Sequence, residues 1–168
     1  MRDVLVGDID MIQEDYIMRL VNKLHLVFAK ILNLTEEKNY DEAEEVIKVI
    51  LKSLSGLNIQ IITSFDLPVL LRMMDGYDAN ITKDKDKLIE TSKLIFEQSK
   101  IELTRGNSQA STAFAFKALL LQIHALKMGK LPISKSEQVM LKKQIKASDQ
   151  SNLPESVLND IEILFAAQ

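Results

Sequence analysis

Apolar residues recur every three or four positions along almost the whole of this chain, and single glycines interrupt them. That pattern leaves little room for anything but helices. Apolar side chains at i, i+3, i+4 and i+7 share one side of an α-helix, whereas a half-buried strand needs strict alternation. Four of the five glycines, Gly56, Gly76, Gly106 and Gly129, each follow a helical pattern. A residue that adopts the left-handed conformation without a Cβ clash ends a helix there. The spacing predicts helices over 9–34, 39–55, 66–75, 83–105, 107–128, 134–147 and 154–166.

The helix starts carry their own signals. Asn39 precedes Glu42, and Ser134 precedes Glu137, both at capping-box spacing. Asp66-Leu67-Pro68 and Asn152-Leu153-Pro154 each put a proline in a first turn, where its missing N–H does no harm. Leu57 to Phe65, with Ile59, Ile61 and Ile62, reads as a buried connector with some extended character.

Two helices have more apolar surface than one neighbour could cover. The first carries Tyr16, Ile17, Leu20, Val21, Leu24, Val27, Phe28, Ile31 and Leu32 on an arc of roughly 200°. The helix at 107–128 is apolar almost all round, through Ala113, Phe114, Phe116, Ala118, Leu119, Leu120, Leu121, Ile123 and Leu126. Such a helix belongs at the centre of a bundle. The expectation is an all-α, single-domain bundle of about six or seven helices in stacked antiparallel hairpins. Residues 11–168 form the helical domain and 1–10 an N-terminal extension.

Composition excludes several functions. Net charge is −3 over 168 residues, which gives no cationic surplus to displace counterions from nucleic acid. Aromatic residues make up 5% and tryptophan is absent, so a base-stacking platform is not expected. With no cysteine, disulfides, thiolate metal sites and a cysteine nucleophile are ruled out. The stretch Met1 to Asp8 reads as too short and too acidic for a signal peptide. The apolar run Ala113–Leu126 is broken by Lys117, Gln122 and His124 and falls short of a membrane span. The expected setting is the cytoplasm, with neither nucleic acid nor membrane as partner.

Residues that usually carry chemistry are scarce and scattered. His25 and His124 have no carboxylate or second histidine at three or four residues' spacing, so no local metal motif forms. The segment Asp78 to Asp86 places oxygen ligands at alternate positions, as a calcium loop does. However, Lys83 stands where the sharp-turn glycine belongs and Ile89 where the bidentate glutamate belongs. An aspartate-rich helix N-terminus explains the same residues. No glycine-rich phosphate cradle and no nucleophile-elbow serine is present. No catalytic residue, cofactor-binding residue, cofactor or metal ligand is assigned, and the chain is not expected to be an enzyme.

Charge is distributed unevenly. Residues 35–52 hold six acidic side chains against Lys38, Lys48 and Lys52, whereas 127–146 hold six lysines against Glu137 alone. Lys135, Lys142 and Lys146 share one side of their predicted helix and are the candidate partner-binding residues. A solvated face is the plain alternative. Met18, Met73, Met74, Met128 and Met140 read as gap-fillers in a helical core.

Two resemblances accompany this reading. Lys38-Asn39-Tyr40-Asp41-Glu42-Ala43, followed by Val46, Ile47 and Ile50, resembles the turn and second helix of a tetratricopeptide repeat, a unit of about 34 residues. Met11-Ile12-Gln13-Glu14-Asp15-Tyr16-Ile17-Met18-Arg19 is similar to the start of a family of all-helical proteins from Gram-positive bacteria whose function is not established. That second resemblance implies a start equivalent to Met11 and a helical fold, and it implies no active site.

The functional expectation is a non-enzymatic helical interaction or scaffold protein. Its hairpins at 9–55 and 83–128 would present a groove to a protein or peptide partner. The alternative is a structural homodimer that covers surplus apolar surface, such as Leu94 and Ile101. Less favoured is an enzyme with a site assembled from scattered carboxylates.

Overall fold

The computed structural model describes Arg19 and residues 22–167. Among the described residues the chain is all-α, with no strand. Helix α1 covers 22–36 of the described residues. It is followed by α2 (Tyr40–Ser55), the single turn α3 (Ile59–Ile62), α4 (Leu67–Tyr77), α5 (Lys85–Thr104), α6 (Ser108–Met128), α7 (Lys135–Ala147) and α8 (Glu155–Ala166). Short 3-10 turns at Ile81–Lys83 and Gln150–Asn152 precede α5 and α8. The expected extension 1–10 and the first-helix positions before 22 lie outside the described residues, apart from Arg19.

The chain divides into two compact units, 1–46 and 47–168. The division falls inside α2 and not in the 76–82 linker.

In the first unit, Leu24, Ile31, Leu34 and Ala43 are buried, while Leu26 and Leu32 are exposed. The buried stripe of α1 is therefore narrower than the predicted arc. Helix α1 ends in a Schellman turn: the Asn39 N–H donates to Leu34 O and the Lys38 N–H to Thr35 O. The left-handed position in that turn is occupied by Lys38, at φ 61. A side chain with a Cβ costs about 1–2 kcal/mol in that conformation. Lys38→Gly is expected to stabilise the protein by about 1 kcal/mol, read as a higher urea midpoint with an unchanged slope. An equal or lower midpoint would refute that account of the turn. Asn39 then opens α2: its side chain donates to Glu42 and accepts from the Glu42 N–H.

The second unit is built on the α5–α6 hairpin. Asp84 starts α5 by accepting from the Asp86 and Lys87 N–H groups. The hairpin turns at Gly106, at φ 83, where the Asn107 N–H donates to Glu102 O. Two contacts along the pair set its antiparallel register. The Ser99 and Ser111 hydroxyls lie 3.4 Å apart. The Ser92 hydroxyl donates to the backbone carbonyl of Ala118 at 2.7 Å. A serine reaches a neighbouring main chain only where two helices approach closely. Small residues at seven-residue intervals allow this, Ser92 and Ser99 on α5 and Ser111, Ala118 and Ala125 on α6, all buried. Helix α7 joins the seam through Gln144, whose amide donates to Ser92 Oγ at 2.9 Å. Helices α7 and α8 both pack on α6.

Several expectations are corrected. Leu94 and Ile101 are not surplus surface, because they are 0% and 1% exposed. Helix α5 is buried nearly all round, from Leu88 and Ile89 through Ile95, Phe96 and Gln98 to Ile101. These two examples of the apolar surface that suggested a homodimer are thus covered within the chain. Gly76 does not stop α4: it lies within the helix, which ends after Tyr77 as Asp78 turns extended. Gly129 caps α6 in an extended conformation, not a left-handed one. The 57–65 connector is partly helical, because Asn58 accepts from the Gln60 N–H and caps a single turn. Of the methionines, Met74 is fully buried, but Met73 and Met128 are exposed, and Met18 lies outside the described residues.

Candidate functional site

The capping box predicted for α7 forms. Ser134 Oγ accepts from the Glu137 N–H at 3.2 Å, and Glu137 accepts from the Ser134 N–H at 2.7 Å. The other Glu137 oxygen pairs with Lys85 at 2.8 Å, tying the start of α7 to the start of α5. Burial by itself would raise the Glu137 carboxyl. The bonds from Lys85 and Ser134 outweigh it and hold the group below the usual carboxylate range. Leu141 and Gln144 fix the inner side of α7, and the Ser148 hydroxyl closes its last turn by donating to Gln144 O.

With that side turned inward, the opposite side faces solvent. Lys135, Val139, Lys142 and Lys146 lie at i, i+4, i+7 and i+11, all exposed. They line one side of the helix over about 16 Å. Val139 retains 52% of its surface in solvent. The structure therefore places Lys135, Lys142 and Lys146 together, as their spacing predicts. Among the described residues none of the three has an ion-pair partner. Lys142 alone is positioned by a neighbour, with its ammonium 5.6 Å from the centre of the Phe165 ring on α8. Lys127 is different: it pairs with Asp160 at 2.8 Å and links α6 to α8.

Other sequence candidates take structural roles. Asp78 accepts from the Asn80 N–H and from Lys87. Asp84 is committed to the N-terminus of α5, and the Thr82 hydroxyl donates to Asp75 Oδ1, so these three oxygen-bearing side chains of the calcium-like segment all have partners within the protein. His25 is exposed. His124 is half-buried, and burial together with the Lys127 charge holds its imidazole below the ordinary value. No group of three or more His, Asp or Glu among the described residues is arranged to hold a metal ion. No helix of the described residues is long and apolar enough to cross a membrane.

A second feature was not foreseen. A cleft of about 530 Å³ opens beside the first turns of α6, lined by Ser108, Gln109, Thr112, Ala113, Phe116, Asp149, Asn152 and Leu153. Its two walls are more than thirty residues apart in the chain. The one legible signal is on α6, where Ala113 and Phe116 face away from the helix's buried side.

Comparison with known proteins decides nothing about this site. No protein-family model, no curated protein and no solved structure matches the chain. Function therefore has to be read from the residues themselves.

Proposed function

We propose that this chain is a non-enzymatic helical interaction protein whose α7 docks an acidic, amphipathic helical segment of a partner protein. The observation that carries the reading is the stripe of Lys135, Val139, Lys142 and Lys146, exposed and without ion-pair partners among the described residues. Isolated surface lysines usually do no more than solvate. Three lysines aligned with an exposed valine are a different case, because they match carboxylates flanking one apolar residue on a facing helix. Rim charges of this kind set partner choice and association rate, while the apolar contact excludes water. The setting proposed with it is the cytoplasm, in keeping with the apolar run Ala113–Leu126 being too interrupted for a membrane span, and a bacterial source, as the resemblance of the Met11–Arg19 segment implies.

The test is capture by the tagged full-length chain from native extract, followed by cross-linking to locate the contact. The expected result is a stoichiometric acidic partner cross-linked to α7. Lys135→Glu, Lys142→Glu and Lys146→Glu together should weaken its binding about 10- to 100-fold, since three attractive contacts become repulsive. A matched reversal at exposed Lys52 should leave binding unchanged. A partner held equally well by the triple variant would refute the reading.

A further inference from the structure

We infer that the cleft beside the start of α6 binds a small organic ammonium ion with a flat apolar body. The cleft shares no lining residue with the α7 stripe, and the inference does not depend on the partner proposed for it. At about 530 Å³ the cleft falls within the range of small-molecule sites. Ala113, Phe116 and Leu153 supply the apolar lining, and Ser108, Thr112 and Asn152 supply neutral polar groups.

Asp149 is the single formal charge in the lining. Its carboxylate is oriented by its own turn. Oδ1 accepts from the Ser151 N–H and hydroxyl, at 3.3 and 2.6 Å, and Oδ2 accepts from the Asn152 amide. Those bonds, the Ser151 hydroxyl foremost, favour the ionised form. A carboxylate oxygen has room for two acceptor contacts, so Oδ2 keeps one available for a ligand. An anionic ligand would meet the like charge of Asp149, the one formal charge in the lining, at close range. A neutral one would gain the apolar lining and the neutral polar groups but no charge-assisted bond. An ammonium group on an aromatic body gains the charge-assisted bond to Asp149 and the favourable environment that an aromatic ring gives a cation.

The experiment uses three ligands of one shape: tryptamine, its alcohol analogue tryptophol, and the anion indole-3-propionate. Each is titrated into the uniformly ¹⁵N-labelled full-length protein. Tryptamine is expected to give saturable shifts at the amides of 108–116 and 149–153. Tryptophol should bind there about fivefold more weakly, the worth of one exposed charge pair. Indole-3-propionate should bind more weakly still. Asp149→Asn, which can still accept from Ser151, should bring tryptamine down to the affinity of tryptophol and leave tryptophol unchanged. Equal binding of all three ligands, shifts centred elsewhere, or tryptamine binding that ignores Asp149→Asn would each overturn the inference. Should the variant fold poorly, the comparison of ligands on the unmodified protein decides alone.

Discussion

Gly56→Ala is expected to destabilise the protein by about 3 kcal/mol, the sum of a backbone cost and a steric one. Gly56 follows the last turn of α2 at φ 72, where an alanine pays about 1–2 kcal/mol for its Cβ. The added Cβ would also sit 2.4 Å from Cγ and 2.5 Å from Cβ of Tyr77. Those atoms lie near the Tyr77 backbone and cannot swing aside as a ring edge could. The Tyr77 hydroxyl is held as well, donating to Ser53 O at 3.1 Å. Gly106 supplies the internal control: its φ is 83, but a Cβ added there would meet nothing within 4 Å. Gly106→Ala should cost only the backbone share, about 1 kcal/mol. Urea unfolding of both variants, and of Gly56→Ala with Tyr77→Ala, separates the two contributions. Equal losses at 56 and 106 would mean that Tyr77 does not hold the end of α4 against the end of α2.

Ala118→Leu is expected to cost as much or more, about 3–5 kcal/mol, by prising apart the α5–α6 pair. Ala118 is fully buried, and its carbonyl accepts from Ser92 at 2.7 Å. A leucine there needs space that the α5–α6 seam does not have, and overpacking costs about 1–3 kcal/mol before any bond is lost. Separation of the helices also takes Ser92 away from Ala118 O and from the Gln144 amide. Polar groups are then left unpaired in a dry interior, at about 1–3 kcal/mol each. Ala147→Leu, at an exposed position on α7, should change stability by no more than about 0.5 kcal/mol. If the two substitutions are equally tolerated under urea, the seam is not close-packed.

What was legible in the chain is what local chemistry decides. Ser134 with Glu137, and Asn39 with Glu42, announce helix starts because each cap is closed within four residues. Helix ends were less legible. Gly56 and Gly106 take the left-handed conformation, but so does Lys38, while Gly129 does not. A helix end depends on what the following residues meet, as well as on the glycine. The burial of Leu94 and Ile101 was hidden because helical periodicity ranks the sides of one helix and does not count its neighbours. The α5–α6 seam was hidden because serine and alanine carry little weight in a hydrophobic pattern, although their seven-residue recurrence is in the chain. At the candidate site, the alignment of Lys135, Lys142 and Lys146 follows from spacing alone. The cleft does not, since Phe116 and Asp149 come to line one cleft only after α6, α7 and the 149–153 turn have packed.

The seam has a further consequence, for kinship. Leucines and isoleucines on a helix exchange freely with one another over evolutionary time, so a greasy stripe identifies a class of protein and no lineage. Ser92, Ser99, Ser111, Ala118 and Ala125 have less latitude, because they are buried along the line where the Ser92 hydroxyl reaches Ala118 O, and a larger side chain there would push the helices apart. Descendants of the same ancestor could replace most of their apolar residues and still have to leave these five small. A relative of this chain is to be recognised by what it keeps small.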